Sequence, residues 1–167
     1  MATLVPQEYE IVPADQVRLH PDNPNQGDVG AVAESIEANG FYGALLVQRS
    51  TGYVLAGNSR VQAAVAKGLG DVPVIWADVD DDRARRILLA DNRTAQLASY
   101  DEAALTALLQ ELAVTDDGLA GTGWDGDDLD DLLANFAPDG DAQPRLDQTN
   151  PVTCPECGHE FTPGQAG

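Results

Sequence analysis

Four consecutive residues, Gly57, Asn58, Ser59 and Arg60, combine features that proteins use to bind an anion. They follow the apolar run YVLA and precede a helical pattern, so we expect a turn from a strand into a helix. Such a turn points unpaired backbone N–H groups and about half a positive charge at one place. Glycine lets a ligand approach the backbone, Asn58 or Ser59 can cap the helix, and Arg60 offers a donor fork that fits phosphate. The tetrapeptide therefore predicts a phosphate or nucleotide site.

The same four residues also suit a plain tight turn with an exposed arginine. Two sharper motifs are excluded at this position. A Walker A loop requires G-x-x-x-x-G-K-[ST], which the chain lacks, and a nucleophile elbow requires G-x-S-x-G, where Val61 replaces the second glycine. The chain has only two histidines, His20 and His159, and the second belongs to a cysteine motif, so a serine triad is not expected.

A second group that could do chemistry is CPECGH, near the C-terminus. Cys154 and Cys157 are the only cysteines, and their spacing is poor for a structural disulfide but good for a metal. Gly158 permits the tight turn of a zinc knuckle, and His159 is a candidate third ligand. Structural zinc takes four ligands, so the fourth would come from elsewhere. The candidates are His20, Glu156, Glu160 or a second copy of the chain. A degenerate ribbon without metal is the alternative, and a redox role is less favoured because no βαβ pattern surrounds the pair.

Charge limits the partners that this chain can bind. The net charge is −19, and residues 101–167 carry 15 acidic residues against one basic residue. General affinity for duplex DNA is therefore not expected. The acids are interleaved with helical leucines, which indicates a solvated surface, although docking to a basic partner is the functional alternative. We find no membrane span and no signal peptide, and the cysteine usage fits a reducing cytoplasm.

Three arginines, Arg83, Arg86 and Arg93, share one face of a predicted helix. With Arg60 they make up half of the basic residues in the first hundred. They could form a local positive patch for a polyphosphate or a nucleic-acid backbone. The alternative is a solvated helix face whose arginines pair with the acids at positions 80–82.

The elements that position these residues follow from periodicity and turn signals. We expect Asp28 to cap a helix that ends at Asn39-Gly40, and the run ALLVQRSTGYVLAG to form a hairpin. A second helix is predicted from about Ser59 to Gly68, followed by a buried strand at VPVIWAD. Three further helices are predicted, and Asp80 caps the first of them. The second begins with a capping box at Ser99–Glu102 and carries the apolar residues Leu105, Leu108, Leu109 and Leu112. The third carries Leu129, Leu132, Leu133 and Phe136. The fold class is α+β, a small mixed sheet with helices and a helical C-terminal half. Residues 1–137 form the domain, 138–150 a linker and 151–167 the tail.

At this point the chain resembles the ParB/sulfiredoxin superfamily, from about Val12 to Phe136. The colinear features are LHPDNPNQGD, AVAESIEANGFYGALLVQ and GYVLAGNSRVQAAVAKGLGDVPVIWADVDDDRARRILLADNRTAQLASYDEAAL. The chain is most similar to ParB-like domains of phages and mobile elements, which carry a comparable LADNR segment. The resemblance implies a ParB-like nucleotide-binding fold, and its cofactors would be CTP or another nucleotide with magnesium.

The resemblance also assigns roles at individual positions. The family's G-E-R-R motif, which binds CTP phosphates with magnesium, falls on Gly57 to Arg60, with Asn58 in place of the glutamate and Ser59 in place of the first arginine. Its E-N-x-x-R motif falls on Asp91-Asn92, which implies a magnesium contact by Asn92, with Asp91 beside it. Ala95 stands where that motif has arginine. Sulfiredoxin chemistry is excluded, because its cysteine would fall on Asn58.

Three functions remain open at the level of sequence. The first is a nucleotide-binding module in DNA transactions of a phage or mobile element, a partition-type or accessory factor that contacts DNA directly or through a partner protein. A homodimer is its candidate assembly. The second is an enzyme, either a nuclease using Asp91 with Asp78 or Asp80, or an NTPase or kinase. The third is an acidic interaction protein. Because Asn58 replaces an acid, hydrolysis is expected to be slow, and Asn58→Glu is expected to restore some activity.

Overall fold

A mixed five-stranded sheet organises the larger part of the computed structural model, which describes residues 4–136, 152–158 and 160–161. The strands are β1 (Gln7–Pro13), β2 (Arg18–Leu19), β3 (Leu45–Gln48), β4 (Tyr53–Ala56) and β5 (Asp71–Ala77), in the order β1-β5-β3-β4-β2. The β3–β5 and β2–β4 pairs are parallel, whereas β1–β5 and β3–β4 are antiparallel. The predicted hairpin is therefore β3–β4, and the predicted mixed α+β class is confirmed.

The helices accompany this sheet in the predicted order. They are α1 (Val29–Asn39), α2 (Asn58–Ala66), α3 (Asp81–Leu97), α4 (Glu102–Ala113) and α5 (Gly126–Phe136). Asp28 caps α1 by accepting from the Ala31 N–H at 3.0 Å, and Asp80 caps α3 by accepting from the Arg83 N–H at 2.8 Å. Both caps agree with the prediction, because a short carboxylate before an apolar helical repeat has few other local partners.

The core lies where the central strands meet α2 and α3. Leu45, Val47 and Val54 are fully buried, together with apolar side chains of α2 and α3. The buried apolar residues of these two helices are Val61, Ala63, Ala64, Ala84 and Leu88. A strand with this burial holds its C-terminal end in a fixed place, and β4 ends at the predicted site.

One local prediction is wrong, and one strand was missed. The capping box predicted at Ser99 does not form, because α4 begins three residues later and Asp101 is its cap, accepting from the Ala104 N–H at 3.1 Å. The strand β1 was not predicted, because five of its first six side chains are exposed and only Val12 is buried. A strand at the edge of a sheet buries few side chains, so its sequence shows little of the apolar alternation that predicts a strand.

The chain divides into two compact units, residues 1–130 and 131–167. In the second unit the short strands β6 (Val152–Thr153) and β7 (Glu160–Phe161) pair antiparallel around the cysteine motif. The linker predicted at 138–150 lies outside the described residues. The domain boundaries at 137 and 150 therefore stay predictions.

Candidate functional site

The turn between β4 and α2 presents backbone donors without a side-chain cap. Gly57 has φ +98°, a left-handed conformation, and a Cβ there would lie 2.8 Å from Leu45 Cδ2. The first bond of α2 runs from the Val61 N–H to the Gly57 carbonyl, so the N–H groups of Asn58, Ser59 and Arg60 precede it. In the described part of the chain no side chain caps this terminus, which corrects the prediction that Asn58 or Ser59 does so. The uncapped N–H groups remain available to an anion.

The side chain of Asn58 has a structural task. It is 8 % exposed, its amide nitrogen donates to the Val54 carbonyl at 3.1 Å, and its amide oxygen accepts from the His20 N–H at 3.1 Å. These two bonds tie the segment after β2 to the end of β4. What Asn58 offers a ligand is therefore its backbone N–H.

Arg60 lies half-buried beside the same turn. Its Nη1 donates to the Ala44 carbonyl at 3.5 Å, and a Cβ on Gly43 or Gly57 would lie within 3.4 Å of its guanidinium. Because neither glycine has a side chain, the guanidinium of Arg60 can occupy this space. Among the described residues, none of the ion pairs involves Arg60. A partly desolvated guanidinium with free donors favours an anionic ligand.

A cavity of about 400 Å³ opens beside this turn and joins two segments far apart in sequence. Its volume falls in the range of small-molecule pockets. It brings together all four residues of the predicted turn with Asp91 and Asn92 of α3. The full lining is Asn23, Asn25, Val32, Gly57, Asn58, Ser59, Arg60, Asp91, Asn92 and Ala95.

Sequence reasoning missed the asparagines of the loop before α1, which it interpreted only as a turn. Asn92 Nδ2 donates to Asn23 Oδ1 at 3.0 Å, and Asn25 Nδ2 donates to Asn92 Oδ1 at 3.2 Å. This asparagine network, Asn23, Asn25 and Asn92, holds the loop against α3 at the cavity. The repeated asparagines around Pro24 were the available signal, but asparagine is so common in turns that they did not stand out.

Magnesium fits this cavity only together with a phosphate. The Asp91 carboxylate and the Asn92 amide oxygen are the oxygen ligands that the second motif supplies, and the Asn92 oxygen already accepts one bond from Asn25. Protein magnesium sites often use one or two carboxylates and complete the octahedron with phosphate oxygens and water. Asp91 and Asn92 would hold the ion under that condition.

The other predicted basic residues lie outside the cavity lining. Arg86 is exposed and pairs with Asp82 one helical turn earlier, at 2.8 Å. The hydrogen bond and charge of Arg86 lower the pKa of Asp82. Arg93 is exposed and also outside the lining. For Arg86 this arrangement corresponds to the solvated helix face described above.

The acidic group predicted for a nuclease does not assemble. Asp78 pairs with Arg49 at 3.0 Å, Asp80 caps α3, and Asp91 lies eleven residues farther along that helix, about 16 Å away at 1.5 Å per residue. In the parts of the chain that the structure describes, no three His, Cys, Asp or Glu residues cluster as metal ligands. The nuclease metal group of Asp91 with Asp78 or Asp80 is therefore wrong.

A second cavity, of about 450 Å³, lies between α1 and the loop before α5. It is lined by Trp124 and by two carboxylates, those of Glu34 and Asp125. It is slightly larger than the cavity at the turn. Its carboxylates repel phosphate, so the turn is the better candidate for an anion site.

The cysteine motif forms a tight turn between its two cysteines. Both cysteines are free, and the Gly158 N–H donates to the Cys154 carbonyl at 2.9 Å, with Gly158 at φ +72°. Hydrogen bonds from the backbone N–H groups of Cys157 and Glu156, and from the Cys157 side chain, lower the pKa of Cys154. Donors aimed at a sulfur suit a metal-bound thiolate. The predicted third ligand, His159, lies outside the described residues.

Comparison with known proteins shows which fold this is. The chromosome-partitioning protein ParB from Caulobacter crescentus, C-terminally truncated and in complex with CTP-gamma-S, has a TM-score of 0.65 and 23% identity over 79% of this chain and 81% of that one. A pNOB8-like ParB N-domain matches with a TM-score of 0.49 and 14% identity, and the chain covers 59% of it. No protein-family model and no curated protein matches the chain. The fold is similar to that of the C-terminally truncated Caulobacter crescentus ParB.

Proposed function

We propose that this ParB-like fold is a nucleotide-binding module that takes part in DNA transactions, as a partition-type or accessory factor of a phage or mobile element in the bacterial cytoplasm. The observation that carries the proposal is the uncapped N-terminus of α2, with half-buried Arg60 beside it, facing a cavity that also contains Asp91 and Asn92. Backbone donors, an arginine and oxygen ligands for a cation are the parts that a phosphate site needs.

The structural neighbour supports the same assignment. The Caulobacter crescentus ParB was solved with CTP-gamma-S. Compared with the G-E-R-R motif of the family that it resembles, this chain has the same glycine and last arginine and differs at Asn58 and Ser59. We therefore propose nucleotide as the ligand and leave the base to experiment.

Calorimetric titration of the full chain tests this proposal directly. CTP, ATP, ADP and GTP are each titrated with and without magnesium. The proposal expects saturable binding of at least one nucleotide at one site per chain. Heats no larger than dilution for all four would overturn it.

Catalysis is expected to be very slow. Asn58 replaces the family's acid and its amide is bonded at both ends, so neither a general base nor an acidic metal ligand stands at that position. We expect turnover of CTP and ATP well below about 1 per second, the low end for ordinary enzymes. Chromatography of the nucleotides after incubation measures it. A rate of that order or faster would show that another group performs the chemistry.

The DNA connection is proposed through a local surface or a partner protein. The overall charge of −19 opposes duplex DNA. The exposed arginines of α3, among them Arg86 and Arg93, offer a short positive strip, of which Arg86 is partly neutralised by Asp82. Among the described residues, no helix is both long and apolar enough to cross a membrane.

The tail is proposed to bind zinc through Cys154, Cys157 and His159, with the fourth ligand from outside the knuckle. A ligand from a second copy would couple zinc to homodimerisation, and water in that position would make the site weaker. Zinc should be lost as the thiols become protonated at low pH, because only the thiolate binds the metal. Thermal melts with and without chelator should coincide in the main transition, because residues 12–136 have their own core.

Elemental analysis of protein purified without chelator measures the metal. Less than about a tenth of an equivalent of zinc, with both thiols freely titratable, would mean that the knuckle is vestigial. A large loss in the main transition on chelation would show that the tail belongs to the domain core.

A further inference from the structure

We propose that the cavity at the turn is built for a ligand with a single phosphate, a nucleoside monophosphate, and that it gains little from β- and γ-phosphates. This inference rests on the proposed nucleotide function and specifies its substrate class. The inference follows from the charges of the residues that line the cavity, and from Ser59 and Ala95, two small neutral residues in that lining.

The net charge of the residues that line the cavity is close to zero. Among the ten lining residues only Arg60 and Asp91 have charged side chains, one of each sign. The N-terminus of α2 adds about half a positive charge. One phosphate monoester carries about −1.5 to −2 charges at pH 7. The positive end of the cavity, Arg60 with the helix N-terminus, matches a charge of that size but not the larger charge of a triphosphate.

The donors also suit one phosphate group. The backbone N–H groups of Asn58, Ser59 and Arg60 and the fork of Arg60 all lie at a single turn. One phosphate can use them together, because its oxygens occupy a small volume. Without a bound metal ion, a chain of phosphates needs a second set of cationic donors farther along the cavity.

No such second set lines the cavity in the described residues. Ser59 is short, and its hydroxyl lies against Gly27, where an added Cβ would come within 2.5 Å of Ser59 Oγ. Ala95 carries no donor. Arg86 is engaged by Asp82, and Arg85 faces Asp22 at 3.6 Å. Further phosphates would therefore meet solvent or Asp91.

Apart from Asp91, the rest of the lining is uncharged. The asparagine network contributes side-chain amides to the same lining. Amides pair with sugar hydroxyls and base edges without requiring charge. A nucleoside attached to one phosphate matches a lining that combines one positive turn with several uncharged amides.

Titration of the full chain with CMP, CDP and CTP, and with AMP, ADP and ATP, tests the inference. Without magnesium, the dissociation constants within each series should agree within about threefold, because phosphates that meet no protein cation gain only weak, screened interactions. A triphosphate that binds about tenfold tighter than its monophosphate would overturn the inference and leave the nucleotide function intact. Absence of binding by all six would overturn both.

An engineered arginine provides the converse test. Ala95 is exposed and lines the cavity, so Ala95→Arg should fold normally and place a guanidinium where a β- or γ-phosphate can meet it. The preference for CTP over CMP should rise about tenfold or more, the value of one charge-assisted contact. Gln96→Arg adds the same charge at an exposed position outside the lining and should leave the preference unchanged. Equal shifts in both variants would contradict the proposed geometry.

Discussion

Replacing Asn58 by glutamate is expected to lower the free energy of unfolding by about 3 kcal/mol or more. The substitution removes the amide donor that satisfies the Val54 carbonyl and buries a longer, charged side chain against that carbonyl oxygen. This expectation replaces the one drawn from sequence, in which the same change restores activity. Urea denaturation followed by circular dichroism measures the difference.

Gln96→Glu is the matched control, because it makes the same amide-to-acid change at an exposed position of α3. Its effect should stay within about 0.5 kcal/mol. If Asn58→Glu were as stable as the wild type and hydrolysed nucleotide, the side chain at this position would be free to enter the cavity. The structural role assigned to Asn58 would then be wrong.

Replacing Arg60 by alanine is expected to weaken nucleotide binding at least tenfold, because one charge-assisted phosphate contact contributes about 1.5–3 kcal/mol. The protein should remain folded, since Arg60 is only half-buried and, among the described residues, the one hydrogen bond that its guanidinium makes is 3.5 Å long. Calorimetry gives the affinity, and a thermal melt confirms the fold.

Arg86→Ala is the control for the loss of one positive charge. Arg86 pairs with Asp82 on the exposed side of α3 and lies outside the cavity lining. Its removal should leave nucleotide affinity nearly unchanged. Equal affinity of the wild type and the Arg60 variant for every nucleotide that binds would show that the phosphate lies elsewhere.

The helices and the hairpin could be predicted from sequence because their signals are local. Asp28 and Asp80 stand directly before apolar repeats, and both cap as expected. Ser99 shows the limit of this reasoning. Two acceptors close together, Ser99 and Asp101, could each begin a helix, and the choice depended on where α4 packs.

The arrangement of the strands could not be predicted in the same way. The parallel pairing of β3 with β5, and of β2 with β4, depends on contacts between distant parts of the chain. The strand β1 buries only Val12, so its composition gave little sign of a strand. Long-range pairing of this kind leaves no short-range pattern.

The site was predicted in outline and misjudged in one of its parts. Gly57, Arg60, Asp91 and Asn92 were singled out from two motifs, and they line one cavity. The role of Asn58 was misjudged because sequence shows a residue type and not its burial. Two bonds to distant backbone atoms make its amide a structural tie.

Backbone amide shifts on ligand addition test the central claim most directly. In a titration of isotopically labelled full-length protein with CMP and then CTP, the amides of Asn58, Ser59 and Arg60 should move with saturation, together with the side-chain amide of Asn92. The indole N–H of Trp124, which lines the acidic cavity, should stay in place. Unmoved amides at positions 58–60, with shifts confined to Trp124 and its neighbours, would contradict a nucleotide site at the N-terminus of α2.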